Sequence, residues 1–390
     1  MTPLAHIPHS PIALTQQWRT QISRHDLHRQ PIIDLAQAIP NQPVPLPLRE
    51  HLARAIHQEP WHLYTPNAGI PALRDAYAQS IAQHYHSPNL TAEHILISAG
   101  CNQAFALLMM ALAKAGDEVI LPLPAYFNHS MWLNMLGIHP RYLPHRPLDG
   151  ALPDPRDAQA CINHRTKAIV LVSPNNPTGA VYPPELLDRF HHLARKHHIF
   201  LVLDETYRDY LTPEQHHHLF AQPQWAQHFA HLYSFSKAYA LAGYRVGALA
   251  CDPTLRQEVE KAMDCVAICA PTPGQAAALF ALEHLQTWRK EQCDAINARC
   301  ASLRLQWPAA HPFRLCAAGA YFAYLQHPFP HRNATNVAKE LALHHHLLLL
   351  PGSAFGPEQE PYLRMAFANV TQQHLSQVIT RLQDAACQMP

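Results

Sequence analysis

Between residues 93 and 236, short apolar runs alternate with longer segments in which apolar residues recur every three or four positions. The short runs predict strands at 94–98, 118–121, 141–143, 168–173, 200–204 and 231–235, and the longer ones predict helices at 101–115 and 184–198. Ile169-Val170-Leu171-Val172 and Phe200-Leu201-Val202-Leu203 have no polar face, so each strand must be covered on both sides. That pattern predicts an α/β fold whose large domain holds a mostly parallel sheet with helices on both faces. A helix at 71–86 precedes it, and a strand at 246–250 and helices at 253–264 and 274–307 follow. The tail, with strands at 321–325 and 363–366 and helices at 333–345 and 371–387, reads as a smaller α+β domain.

Composition narrows the classes. A chain of 390 residues with 48% hydrophobic content exceeds one average domain and has material for a large core. Net charge is +1 with 15% charged residues, which leaves no electrostatic footprint for nucleic acid or an anionic membrane. Nine cysteines without a Cys-x-x-Cys pair argue against a disulfide framework or zinc ribbon. No leader-like start and no run of eighteen apolar residues stand out, so a cytoplasmic protein is expected. Histidine is in excess at 31, yet His216-His217-His218 and His344-His345-His346 lack the i, i+4 spacing of helical metal sites. No metal is expected, and the histidines read as mostly solvated positions.

Polar motifs fall at the ends of the predicted strands, where open α/β sheets bind ligands. Gly100-Cys101-Asn102 runs from a strand into a helix, so free N–H groups there can face a phosphate. Asn176, in Ser173-Pro174-Asn175-Asn176-Pro177-Thr178-Gly179, follows a second strand. Asp204 closes a third and begins Asp204-Glu205-Thr206-Tyr207. Ser234-Phe235-Ser236-Lys237 leads on to Arg245, placing one lysine among two hydroxyls and a guanidinium. Taken alone, Ser-x-x-Lys also fits a serine nucleophile activated by lysine, but the accompanying Ser-Asp-Asn and Lys-Thr-Gly segments are absent. Only 12 glycines occur, and Gly69, Gly100, Gly179, Gly243, Gly247, Gly319 and Gly352 all fall in or near such segments.

In this order, the motifs resemble those of class I and II pyridoxal-phosphate-dependent aminotransferases, the aspartate aminotransferase superfamily of fold type I. The resemblance runs from about Asp34 to Ala368. It implies that Lys237 carries the Schiff base to pyridoxal 5'-phosphate and later acts as base at the substrate α-carbon. It further implies that Asp204 keeps the pyridine nitrogen protonated while Asn176 and Tyr207 bond the ring's 3′ oxygen. Tyr126 would stack on the ring, and Gly100, Cys101, Asn102, Ser234, Ser236 and Arg245 would hold the phosphate. Arg364, set in the apolar run Tyr362-Leu363-Arg364-Met365-Ala366, would take the substrate carboxylate. Tyr64 would reach the phosphate of a neighbouring subunit, making a homodimer necessary. The N-terminal arm would return to the small domain, giving a large domain at 44–285 and a small one from 1–43 and 286–390.

Two departures bear on substrate. Ala38 stands where the family has glycine near the substrate carboxylate, and Cys269-Ala270-Pro271-Thr272-Pro273 lacks the arginine of dicarboxylate-specific members. The expected activity is ping-pong transfer of an amino group from an L-amino acid to a 2-oxo acid. The rival is a carbon–sulfur β-lyase or another α-carbon enzyme on the same site, which product release without any oxo acid would reveal. A ligand-sensing regulator would need an added winged helix-turn-helix domain, for which the residues before the motifs leave no room.

Overall fold

In the computed structural model, residues 4–5, 7–22, 30–147 and 150–389 are described; parts of the predicted small-domain arm, 1–3, 6 and 23–29, lie outside them, as does residue 390. A helix Pro11–Gln21, capped by the Ser10 hydroxyl, precedes the short strand β1 (Ile33–Asp34). Then come β2 (Ile95–Ser98), β3 (Glu118–Pro122), β4 (His139–Leu143), β5 (Thr166–Val172), β6 (Phe200–Asp204), β7 (Phe229–Ser234) and β8 (Gly247–Ala250). These seven form one sheet in the order β2-β8-β7-β6-β5-β3-β4. Only β8 runs against its neighbours, so the carboxyl ends of the other six lie along one edge. Burial of β2, β3, β6, β7 and β8 is nearly complete, as their mostly apolar sequences require.

After β8 the chain builds a four-stranded antiparallel sheet from β9 (Arg314–Gly319), β10 (Phe322–Gln326), β12 (Leu350–Pro351) and β13 (Tyr362–Ala366), while β11 (Leu347–Leu348) pairs with β1 in parallel. The Ala366 N–H donates to the Leu35 carbonyl, which binds the start of the chain to β13. One apolar cluster runs through both sheets, from Trp18 to Met389.

Several predicted elements need correction. The helix expected at 274–307 is two, Thr272–His284 and Gln286–Gln306, broken at Leu285. The helix expected to reach 115 ends at Leu112. A helix Phe127–Met135 and strand β9 were not foreseen at all. The histidines are less solvated than expected, since eight of them (129, 191, 217, 231, 311, 327, 345 and 346) are buried. Among the described residues, no group of three or more His, Cys, Asp or Glu side chains is placed to hold a metal. No helix among them is long and apolar enough to cross a membrane.

Candidate active site

The register of the large sheet brings the motifs level. Asp204 pairs with Val172 on one side and Leu232 on the other, while Gly247 sits between Ser98 and Ser234. Four loops therefore leave one edge together and wall a cavity of about 490 Å³. Its lining includes Ala38, Cys101, Asn102, Tyr126, Asn176, Asp204, Tyr207, Ser234, Ser236, Lys237, Arg245 and Arg364. Gly100 stands just behind the wall. Tyr64 does not join them: it is 78% exposed and shares a second depression with Ala99 and residues 269–273.

Asp204 is buried. Burial would raise its carboxyl, but His129, with Nε2 3.3 Å from Oδ2, and the Thr206 N–H at 3.0 Å from Oδ1 outweigh it and hold it below the ordinary carboxylate range. His129 was missed in the sequence. It lies three residues after Tyr126, the N-cap of the helix Phe127–Met135, a spacing that brings the two rings together. Its ring stacks on Phe105 at 4.1 Å and meets Tyr126 edge-on at 5.1 Å, which fixes its orientation.

Lys237 donates to the Ala38 carbonyl. Burial first, then the Arg364 and Arg245 charges, pull its amine down to about 8, while Asp204 opposes the shift. A lysine so placed has a neutral, nucleophilic form within reach near neutral pH. Arg364 is buried on β13, its Nη1 3.1 Å from the Asn176 Oδ1 and its Nη2 donating to the Ala36 carbonyl. Phe322 and Phe355 face the guanidinium at 4.8 and 5.4 Å. Among the described residues no carboxylate lies within ion-pair distance of it, and its buried Nε has no hydrogen-bond partner. Burial lowers it to about 10, against the Tyr207 and Tyr126 contributions, so an incoming anion would relieve a real desolvation cost.

At the other end, Gly100 adopts φ +87 and starts the helix Cys101–Leu112 without a side-chain cap. A Cβ there would run into the Arg245 Nη2, and a Cβ at Gly247 would meet the Cys101 nitrogen at 2.6 Å. Only glycine lets the guanidinium, the strand and the helix N-terminus converge so closely. Arg245 is anchored to the Ala242 carbonyl at 3.0 Å and the Ala99 carbonyl at 3.4 Å, and the Ser236 N–H bonds the Ser234 hydroxyl at 3.2 Å. The Tyr126 hydroxyl donates to Asn102 at 3.4 Å, and burial pushes the phenol up to about 12. Tyr207 is buried and raised further still, by burial above all. The Cys101 thiol is likewise raised by burial, so it is neutral and inert beside the cradle. Asn175, unlike Asn176, turns inward and ties the loop together through Thr178 and Tyr182.

An amine of lowered basicity, a buried carboxylate, an anion cradle at a helix start and an unpaired arginine fit pyridoxal phosphate and an amino acid. They define the class as a fold type I pyridoxal phosphate enzyme. Comparison with known proteins makes this specific. The sequence matches the family model for aminotransferase class I and II over residues 29–382. It is 28% identical to the aspartate aminotransferase of Pyrococcus horikoshii, covering 91% of this chain and 90% of that one. It is 27% identical to the aromatic aminotransferase ISS1 of Arabidopsis thaliana, covering 90% and 88%. A solved single mutant of Thermus thermophilus aspartate aminotransferase superposes with TM-score 0.86 at 25% identity over 98% of both chains. The chain belongs to the class I and II aminotransferases, pyridoxal-phosphate enzymes that move an amino group from an amino acid to a 2-oxo acid.

Proposed function

We propose how this chain's residues divide that work. When bound, the cofactor supplies an aldehyde that joins an amine and a protonated ring that accepts the electrons freed at the α-carbon. Lys237 would hold it covalently and, once displaced by the substrate amine, would take the α-proton on Nζ and deliver it to the former aldehyde carbon, so that water can then release the 2-oxo acid. Asp204, kept ionised by His129 and Thr206, holds the proton on the ring nitrogen. Asn176 and Tyr207 bond the ring oxygen, and Tyr126 covers the ring face. Gly100, Cys101 and Asn102 offer N–H groups to the phosphate, with Ser234, Ser236 and Arg245 completing the cradle. Arg364 binds the substrate carboxylate. The unpaired, buried guanidinium facing Lys237 across one cavity carries this reading.

A homodimer completes the site in this reading, with Tyr64 crossing to the partner's phosphate; its exposure and that of Leu63 beside it support such a contact. The large domain spans 44–285, and the arm 1–43 joins 286–390, a division supported by the β1–β11 pairing. Nine free cysteines suit a reducing cytoplasm. Borohydride reduction of purified protein followed by peptide mapping should place the trapped cofactor on Lys237, and Lys237→Ala should abolish turnover. A trapped label elsewhere, or none, refutes the assignment.

A further inference from the structure

Four charged side chains line the cavity, and the reading above commits each one: Lys237 and Asp204 to the cofactor, Arg245 to its phosphate, Arg364 to the substrate carboxylate. Once the carboxylate is at Arg364 and the α-carbon is at Lys237, the substrate's side chain is left with the remaining wall. Apart from Val172, Thr206, Ala242 and Gly243, which belong to the strand ends and loops assigned to the cofactor, that wall is Ile12, Gln37, Ile39 and Phe127.

The segment carrying two of these is held firmly. Asp34 Oδ1 accepts the Ala36 N–H at 3.0 Å, and the Asn369 amide donates to the Asp34 and Gln37 carbonyls, the latter at 3.1 Å. The Ala36 carbonyl meets Arg364 and the Ala38 carbonyl meets Lys237, so Gln37 and Ile39 are fixed beside the two groups that hold the substrate. Ile39 is 41% exposed, an apolar surface left open beside Ile12 and Phe127 in the cavity wall. Ile12 reaches the cavity from the first turn of the helix Pro11–Gln21, and Phe127 from the first turn of Phe127–Met135. An apolar substrate side chain would cover these surfaces, whereas a second carboxylate there would be desolvated against them, the three cations among the described lining residues being already committed to the cofactor, its phosphate and the first carboxylate.

We infer that Ile12, Ile39 and Phe127 form the side-chain subsite and select an amino acid or 2-oxo acid with an apolar or aromatic side chain over one with a second carboxylate. This rests on the cofactor and carboxylate assignments above.

Binding of two unreactive carboxylates to the holoenzyme tests it by calorimetry: 3-phenylpropanoate, with an aromatic tail, and glutarate, with a second carboxylate. 3-Phenylpropanoate should bind at least tenfold more tightly. Ile39→Arg, at an exposed position, should lower that ratio at least tenfold, and Ile39→Ala should weaken 3-phenylpropanoate while leaving glutarate nearly unchanged. Equal or tighter glutarate binding, or an Ile39→Arg effect equal on both ligands, overturns the inference. Failure of the underlying reading has a different signature: no borohydride-trapped cofactor at Lys237 and no binding of either ligand.

Discussion

Glu205, the residue after Asp204, sits in a buried cluster whose disruption has a calculable cost. Three donors converge on one of its oxygens, Oε2: the Tyr85 hydroxyl, His231 Nε2 at 2.9 Å and His217 Nε2 at 3.3 Å. The His217 tautomer is fixed, because its Nδ1 accepts the Leu219 N–H at 3.1 Å and its Nε2 must then carry the hydrogen. Glu205→Gln can present a neutral carbonyl to all three donors, losing charge but not acceptor geometry. Each hydrogen bond to a charged group contributes roughly 1.5–3 kcal/mol and a neutral one about 1, so over three bonds a destabilisation of about 1.5 kcal/mol or more is expected. Glu205→Leu leaves three buried donors without an acceptor and should cost about 3–5 kcal/mol. Urea titration of the holoenzyme at fixed excess cofactor, followed by tryptophan fluorescence, measures both.

The pH dependence supplies a second check. Burial would raise the Glu205 carboxyl, but the His217 and His231 contacts outweigh it and hold it well below the ordinary range. A depressed carboxylate contributes stability above its unfolded pKa, about 4.3, and loses it as pH falls. The gap between wild type and Glu205→Gln should therefore be widest at neutral pH and narrow below about pH 4.3. Equal losses in the two variants, or a gap that widens in acid, would refute the assignment of Glu205 as a charged acceptor.

Other outcomes follow from the same packing. Burial holds His84 near about 3 and His191 near about 4, so below about pH 6.5 the unfolded chain takes up protons the folded one refuses. Thermal melts should fall from pH 6.5 to 5, by up to roughly 1.4 kcal/mol per unit for each group, and His84→Gln should flatten the slope. Gly247→Ala drives a Cβ against the backbone of Gly100 and Cys101 at 2.6 Å. It should weaken pyridoxal phosphate binding at least tenfold, measured by fluorescence titration, while circular dichroism stays near wild type.

The central strands and the cofactor motifs were legible because each rests on local chemistry. A strand covered on both faces must be apolar throughout, and polar residues at its carboxyl end stand out against it. What escaped lacks such signals. Strands β1, β11 and β12 have two residues each, too short for any periodicity. Helix Phe127–Met135 mixes Phe, Met, Trp and Leu around its circumference, which hides a 3.6-residue period. The break at Leu285 involves neither glycine nor proline, so the two helices around it read as one. Glu205 draws its partners from Tyr85, His217 and His231, positions that only the folded sheet brings together.

Arg364 bonds the Ala36 carbonyl across 328 residues of chain. The side chains proposed to grip the coenzyme ring are all translated before that arginine leaves the ribosome, yet the cavity lacks one wall until it arrives. Closure of the compartment is thus a late event in folding, since it waits for strand β13 to dock against the Leu35–Ala36 segment.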